Sequence, residues 1–181
     1  MAENLNYAYL GGTTDLPDSS SFCYDNDSAK CEMYGRLYIW SAAMDSAGWI
    51  SGNTANNCGM GGSCSISQKH RGVCPEGWHL PDTTEWKTLY TEAGSSVYVL
   101  QAKGYENWPN ATNASAFSVL PAGSYYPPAD LFNGVAYEAV FWSATEDYGS
   151  YAGNWYMNGS KGEVKRIYSK DNAMAVRCVK D

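Results

Sequence analysis

The stretch G-V-C-P-E-G-W-H-L-P-D-T-T-E-W, from Gly72 to Trp86, decides the fold. Asp82 is placed to cap a helix, its carboxylate accepting backbone N–H groups of the first turn. Glu85, three residues on, completes a capping-box-like pair, although Ser or Thr more often fills the cap position. Pro81 stiffens the approach and keeps Leu80 extended. Beyond the cap, Trp86, Leu89, Tyr90 and Ala93 follow a helical period, and Gly94 suits the stop. The segment therefore enters as an extended apolar run, turns, and starts a helix whose inner face carries Trp86.

The chain around this anchor has 181 residues, enough for one domain, 1–181, with a sizeable core. Charged residues are 17% and aromatics 14%, with 15 Tyr and 7 Trp. That balance is poor in charge and rich in rings for an ordinary intracellular enzyme. The formal net charge of −7 argues against nucleic acid or an anionic membrane as partner. No apolar run is long enough to insert into a bilayer. Met1 leads directly into A-E-N-L-N-Y, which reads as the inside of a domain rather than a signal peptide.

The six cysteines are Cys23, Cys31, Cys58, Cys64, Cys74 and Cys178. No C-x-x-C pair occurs and there are 2 His, which disfavours structural zinc. An even number in a Tyr-, Gly- and Asn-rich chain reads as disulfides formed in an oxidising compartment, so the expected location is extracellular or on the cell surface. Many connectivities are possible. Proximity favours Cys23–Cys31 and Cys58–Cys64, which leaves Cys74–Cys178 to tie the anchor to the end of the chain.

In chain order, residues Met1 to Tyr9 suit an edge strand, and Gly11 to Phe22 a loop. In the stapled segment from Cys23 to Cys31, Asp25, Asn26 and Asp27 resemble the start of a calcium loop, making Asp25 and Asp27 candidate ligands. The downstream Gly and bidentate Glu of an EF-hand are missing, so turn formation by Asx side chains is the competing reading. Calcium is thus an optional ion, and no cofactor is required. Tyr34 to Trp40 reads as a strand, Ser41 to Ala47 as a short helix, and Gly48 to Gly72 as a long loop that needs a staple or a function. After the anchor, Ser95 to Lys103 is expected to be a second helix. Phe117 to Ser124 and Val140 to Glu146 are strand-like. Asn154–Asn158, Val164–Ser169 and Ala173–Lys180 close the chain as three further strands.

The blocks M-A-E-N-L-N-Y, Y-G-R-L-Y-I-W-S-A-A-M-D, R-G-V-C-P-E-G-W-H-L-P-D-T-T-E-W, F-S-V-L-P-A-G, F-W-S-A-T-E and A-V-R-C-V-K-D, in that order, resemble the Fibrobacter succinogenes major paralogous domain. The G-W-H-L-P…E-W block and the V-R-C ending also look like the formylglycine-generating-enzyme branch of the C-type-lectin fold. The resemblance implies an α+β, C-type-lectin-like domain: two helices packed on a twisted antiparallel sheet, disulfide-stapled, with long irregular loops. It also implies a secreted or surface protein of fibre-degrading or related bacteria. The formylglycine-generating enzymes bind copper through a cysteine pair near their C-terminal region. Here Cys178 alone falls there, which argues against oxidase activity.

No serine nucleophile elbow is present. Glu146 and Asp147 are adjacent on a strand end, where two carboxylates rarely face one another as glycoside hydrolysis requires. The expected function is non-enzymatic binding. Sugars stack on aromatic rings while Asn, Asp and Gln satisfy their hydroxyls. The candidate ligand-binding residues are Trp108, Tyr125, Tyr126, Asp147, Tyr148, Tyr151, Asn154 and Trp155, with the segment Glu146 to Trp155 foremost. Trp40, Trp78, Trp86 and Trp142 are assigned to the core, and His79 to a hydrogen-bonded core position. The expected partner is carbohydrate or a surface protein. The alternative is a structural module that forms a homo-oligomer, with no sugar ligand.

Overall fold

The structure, a computed structural model, describes residues 1, 3–9, 20–48, 50–52, 57–64, 66 and 69–181. The expected loop over Gly11 to Phe22 lies mostly outside them. In chain order the elements are β1 (Ser21–Phe22), α1 (Ser28–Tyr34), β2 (Leu37–Ile39), α2 (Trp40–Ala43), β3 (Trp78–His79), α3 (Thr83–Glu92) and α4 (Val97–Leu100). There follow β4 (Ser124–Tyr126), β5 (Leu131–Asn133), β6 (Ala139–Tyr148), β7 (Tyr151–Met157), β8 (Gly162–Ser169), β9 (Ala173–Ala175) and β10 (Val179–Lys180).

The result is an α+β architecture built on a curled, mostly antiparallel sheet. Its strand order is β1-β2-β9-β6-β7-β8, with β4 pairing to β9 and carrying β5. The β6–β9 pair is parallel, through Phe141 and Ala175; the other named strand pairs are antiparallel. A second small sheet pairs β3 with β10, so Trp78 and His79 of the anchor meet Lys180 and Val179.

Both faces of the central sheet are buried, which is why β6 begins as the unbroken apolar run A-V-F-W instead of an alternating one. On β6, Val140, Trp142 and Ala144 belong to a core shared with Tyr38, Trp40, Leu80 and Met174. Ala139 and Phe141 point the other way, into a core shared with Leu37, Trp86, Trp155 and Met157. The buried indoles satisfy their N–H groups on strand and loop carbonyls. Trp40 donates to Ser143 O (2.9 Å), Trp142 to Tyr38 O (2.7 Å) and Trp86 to Trp142 O (3.2 Å). These bonds fix each ring in one orientation.

The helix α3 forms as its local signals dictate. Asp82 accepts from Glu85 N (2.8 Å), and the Glu85 carboxylate accepts from Asp82 N (3.0 Å), a complete capping box. The second expected helix is shorter than Ser95 to Lys103. Ser95 takes a left-handed φ of 55°, and Gln101 turns extended to bridge Val119, leaving only α4 between them. So short a helix has little stability of its own, and a single bridge to a distant residue overrides it. Among the described residues, Met1 to Tyr9 form no strand. Leu5 instead donates to Val176 O (2.8 Å) and accepts from Arg36 N (3.0 Å).

Three disulfides join Cys23–Cys31, Cys58–Cys64 and Cys74–Cys178, with Cα separations of 4.9, 4.5 and 5.8 Å. The pairing expected from proximity is the one formed. The third bridge spans 104 positions and locks the small sheet beside the anchor.

Candidate functional site

The hairpin of β6 and β7 contains the longest strand of the described sheet and carries the most exposed aromatic pair of the expected set. Its pairing is regular from Ala139↔Met157 to Trp142↔Asn154, then slips between Trp142 and Glu146 and again between Glu146 and Tyr148. Such irregularities re-aim side chains and bend a strand. Beyond them Tyr148 pairs with Tyr151 across a turn in which Gly149 has positive φ. The two rings lie 5.1 Å apart, tilted by 46°. Tyr148 is 63% exposed and Tyr151 38%. Asp147, between the slip and the turn, is exposed as well.

Down the same strand, Ala144, Thr145 and Glu146 form part of a polar cleft of about 540 Å³. Lys69, His70, Asp82 and Glu85 also line it. The cleft has a rigid frame. Glu146 accepts from Cys64 N (3.0 Å) and from Lys170 Nζ (2.5 Å). Lys170, itself buried, also donates to Gly59 O (3.3 Å) and Gly62 O (3.0 Å), with its ammonium 4.6 Å from the Trp40 ring centre. One buried lysine thus holds the stapled loop from Cys58 to Cys64 against β6, in the manner of a charge that must be fully paired once removed from water. Thr145 Oγ1 accepts from Thr83 N (3.1 Å), which fastens the start of α3 to the cleft. His70 is buried, with Nε2 2.8 Å from Met44 O.

His79 occupies the core position expected of it. Nδ1 lies 2.7 Å from Asp181 Oδ1 and Nε2 2.8 Å from Glu85 Oε1. All six cysteines are bridged, so none is a free thiol. What the cleft and hairpin offer is a set of hydrogen-bonding groups in a framed hollow, next along β6 to two exposed rings.

The expected binding set divides. Tyr126, Asp147, Tyr148 and Tyr151 are exposed; Trp108, Tyr125, Asn154 and Trp155 are not, and this corrects their reading as loop contacts. Trp155 is fully buried between sheet and α3, 4.8 Å from the Trp86 ring, because strand alternation turns it to the α3 side. Asn154 is fully buried on β7, and neither amide atom of its side chain has a hydrogen-bond partner among the described residues. Trp108 is buried and donates to Tyr137 O (2.9 Å). Tyr125 stacks on Phe132 at 4.0 Å and donates to Asp130 Oδ1 (3.0 Å); burial, then that carboxylate, raises its phenol. Tyr126 sits on β4, opposite Leu131 of β5.

The expected calcium ligands, Asp25 and Asp27, lie in the stretch that leads into α1. Asp27 caps α1, accepting from Ala29 N (2.9 Å), and Asp25 is exposed with a left-handed φ of 54°. Among the described residues no cluster of three His, Cys, Asp or Glu side chains gathers around them. Thr145, Lys69 and His70, which sequence reasoning does not single out for binding, line the cleft together with Glu146, which it weighs only as a carboxylate beside Asp147. The available signal was the long loop before the anchor, which needed something to hold it. The slip in β6 register has no counterpart in the sequence.

A comparison with curated proteins found no match. The Fibrobacter succinogenes major domain matches residues 1–180, nearly the whole chain. The sheet, the anchor helix and the three bridges described above all fall within that match, and the chain belongs to the Fibrobacter succinogenes major domain family.

Proposed function

We propose that the protein is a secreted or surface binding module that holds carbohydrate across the tip of the β6–β7 hairpin. The observation that carries this reading is the exposed pair Tyr148 and Tyr151, at the end of β6, the strand that also frames the polar cleft, and at the start of β7. Two tilted rings suit the apolar faces of adjacent sugar units, while Asp147 and the cleft groups supply hydroxyl partners. A C-type-lectin-like fold belongs to the same reading, with Cys64, Ile66, Lys69 and His70 of one long loop along the cleft. Binding by stacking and hydrogen bonds needs no metal, and retention is expected to survive EDTA.

Affinity electrophoresis through plant-polysaccharide gels, preceded by an oligosaccharide array, tests it. Replacing both tyrosines by Ala should weaken retention roughly tenfold or more, from about 1 kcal/mol per lost ring contact. Unchanged retention in the folded double variant sinks the proposal. A second reading, self-assembly, draws on β8, which ends the described strand order with Ile167 exposed. Unpaired strand edges template further strands. Concentration-dependent sedimentation without glycan binding would favour it.

A further inference from the structure

A second cleft, of about 560 Å³, shares Glu85 with the first but differs in chemistry. Trp78, Trp86, Leu89, Phe117 and Val179 supply apolar walls, and Arg177 and Lys180 line it too. Arg177 is almost wholly buried. Its Nε donates to Asn4 Oδ1 (2.7 Å), one terminal nitrogen to Phe117 O and the other to Ser118 O (2.6 Å). The guanidinium also lies 4.6 Å from the Phe117 ring centre. All three acceptors are neutral. Among the described residues no carboxylate forms an ion pair with it, and Glu3 acts on it only from a greater distance. Burial lowers its pKa to about 10.

A buried guanidinium ordinarily meets a carboxylate or phosphate, often bidentately, and this one keeps two N–H groups beyond its three bonds. Glu85, the acidic residue of the cleft, is already engaged by His79 and by Asp82 N. In a chain of net charge −7, two cationic residues on an aromatic-walled cleft are a local reversal of sign. The volume is that of an ordinary small-molecule site.

We propose that this cleft binds a small aromatic carboxylate, its ring between Trp78, Leu89 and Phe117 and its carboxylate turned toward Arg177 and Lys180. The site is separate from the hairpin and does not depend on the carbohydrate reading. A purely structural Arg177, clamping residues 117–118 to Asn4, would give the same bonds but no ligand.

Isothermal titration with 3-phenylpropionate and its neutral amide, 3-phenylpropionamide, separates the two. The acid is expected to bind at least tenfold more tightly than the amide. Arg177→Ala is a poor probe, because it removes three internal bonds and endangers the fold. Thr88→Trp, at an exposed position of α3 on the cleft wall, should fill the space and abolish binding of both. Lys180→Gln should weaken the acid severalfold and leave the amide unchanged. Equal affinity for acid and amide, acid binding that survives Thr88→Trp, or no binding of either compound would each overturn the proposal. The Tyr148→Ala, Tyr151→Ala variant should bind the acid normally.

Discussion

Tyr151 and Trp155 stand on one strand, and they have opposite fates. The first is exposed at the hairpin tip; the second is sealed between the sheet and α3, against Trp86 and Phe141. Both are large rings in a Gly- and Asn-rich setting, so residue type does not separate them. Position does. Trp155 falls where the β6–β7 register is regular and both sheet faces are covered; Tyr151 falls past the two slips, exposed at the tip although its neighbour Ala152 is buried. The buried end of the hairpin builds the domain, and its irregular end is left exposed.

This contrast can be broken or sharpened by experiment. The largest effect should come from covalent closure behind the core. Replacing Cys74 and Cys178 by Ala opens a loop of 104 positions and should cost about 4.7 kcal/mol in the chain-entropy account, against about 2.6 kcal/mol for Cys23 and Cys31, as read from urea midpoints. Equal losses would mean that loop length is not the controlling quantity. Next, Trp155→Ala should cost about 3–5 kcal/mol through the cavity left against Trp86. A loss under about 1 kcal/mol would place that ring outside the core. Lys170→Met leaves Glu146 without its cation and should destabilise by about 3 kcal/mol while loosening the loop from Cys58 to Cys64, visible as faster amide exchange there.

Alkaline titration probes the buried end more gently. Burial is the main cause that raises the phenols of Tyr9 and Tyr38 above the ordinary value of 10.0. The folded state therefore keeps protons that the unfolded chain releases. Stability is intact below about pH 10 and falls above it, by about 1.4 kcal/mol per pH unit for each tyrosine. Burial of Arg177, whose pKa is lowered, works in the opposite sense. Tyrosinate absorbance from Tyr9 and Tyr38 should appear only as the protein unfolds. Smallest of all, Tyr148→Ala and Tyr151→Ala should shift stability by no more than about 0.5 kcal/mol, since neither ring is core. A larger loss would erase the distinction between the two ends.

What the sequence reveals follows the range of the forces involved. The capping box of Asp82 and Glu85, the α3 boundaries and the short disulfides depend on neighbours in the chain, and they can be read from it. The end of α4 depends on Val119, and the burial of Trp108 on Tyr137, so neither is written locally. Trp155 is an instructive middle case. Its strand is predictable from Asn154 onward, and alternation within that strand already gives it an inward-or-outward choice that a count of loop aromatics ignores. The cleft beside Glu146 is the least legible feature, because it arises from a register slip and from Lys170 reaching back to Gly59 and Gly62. His79 lies between: its burial can be inferred from its neighbours, its bond to Asp181 cannot.

The bridge from Cys74 to Cys178 also decides how the protein responds to being pulled. Tension applied between Met1 and Asp181 passes along the first 74 residues, crosses the sulfur–sulfur bond, and leaves through the last few. Everything between positions 74 and 178, the whole β6–β7 hairpin included, sits on a covalent side loop that such a pull cannot stretch. A molecule tethered at one end and dragged from the other would lengthen only in its first part, while its exposed tyrosines kept their shape.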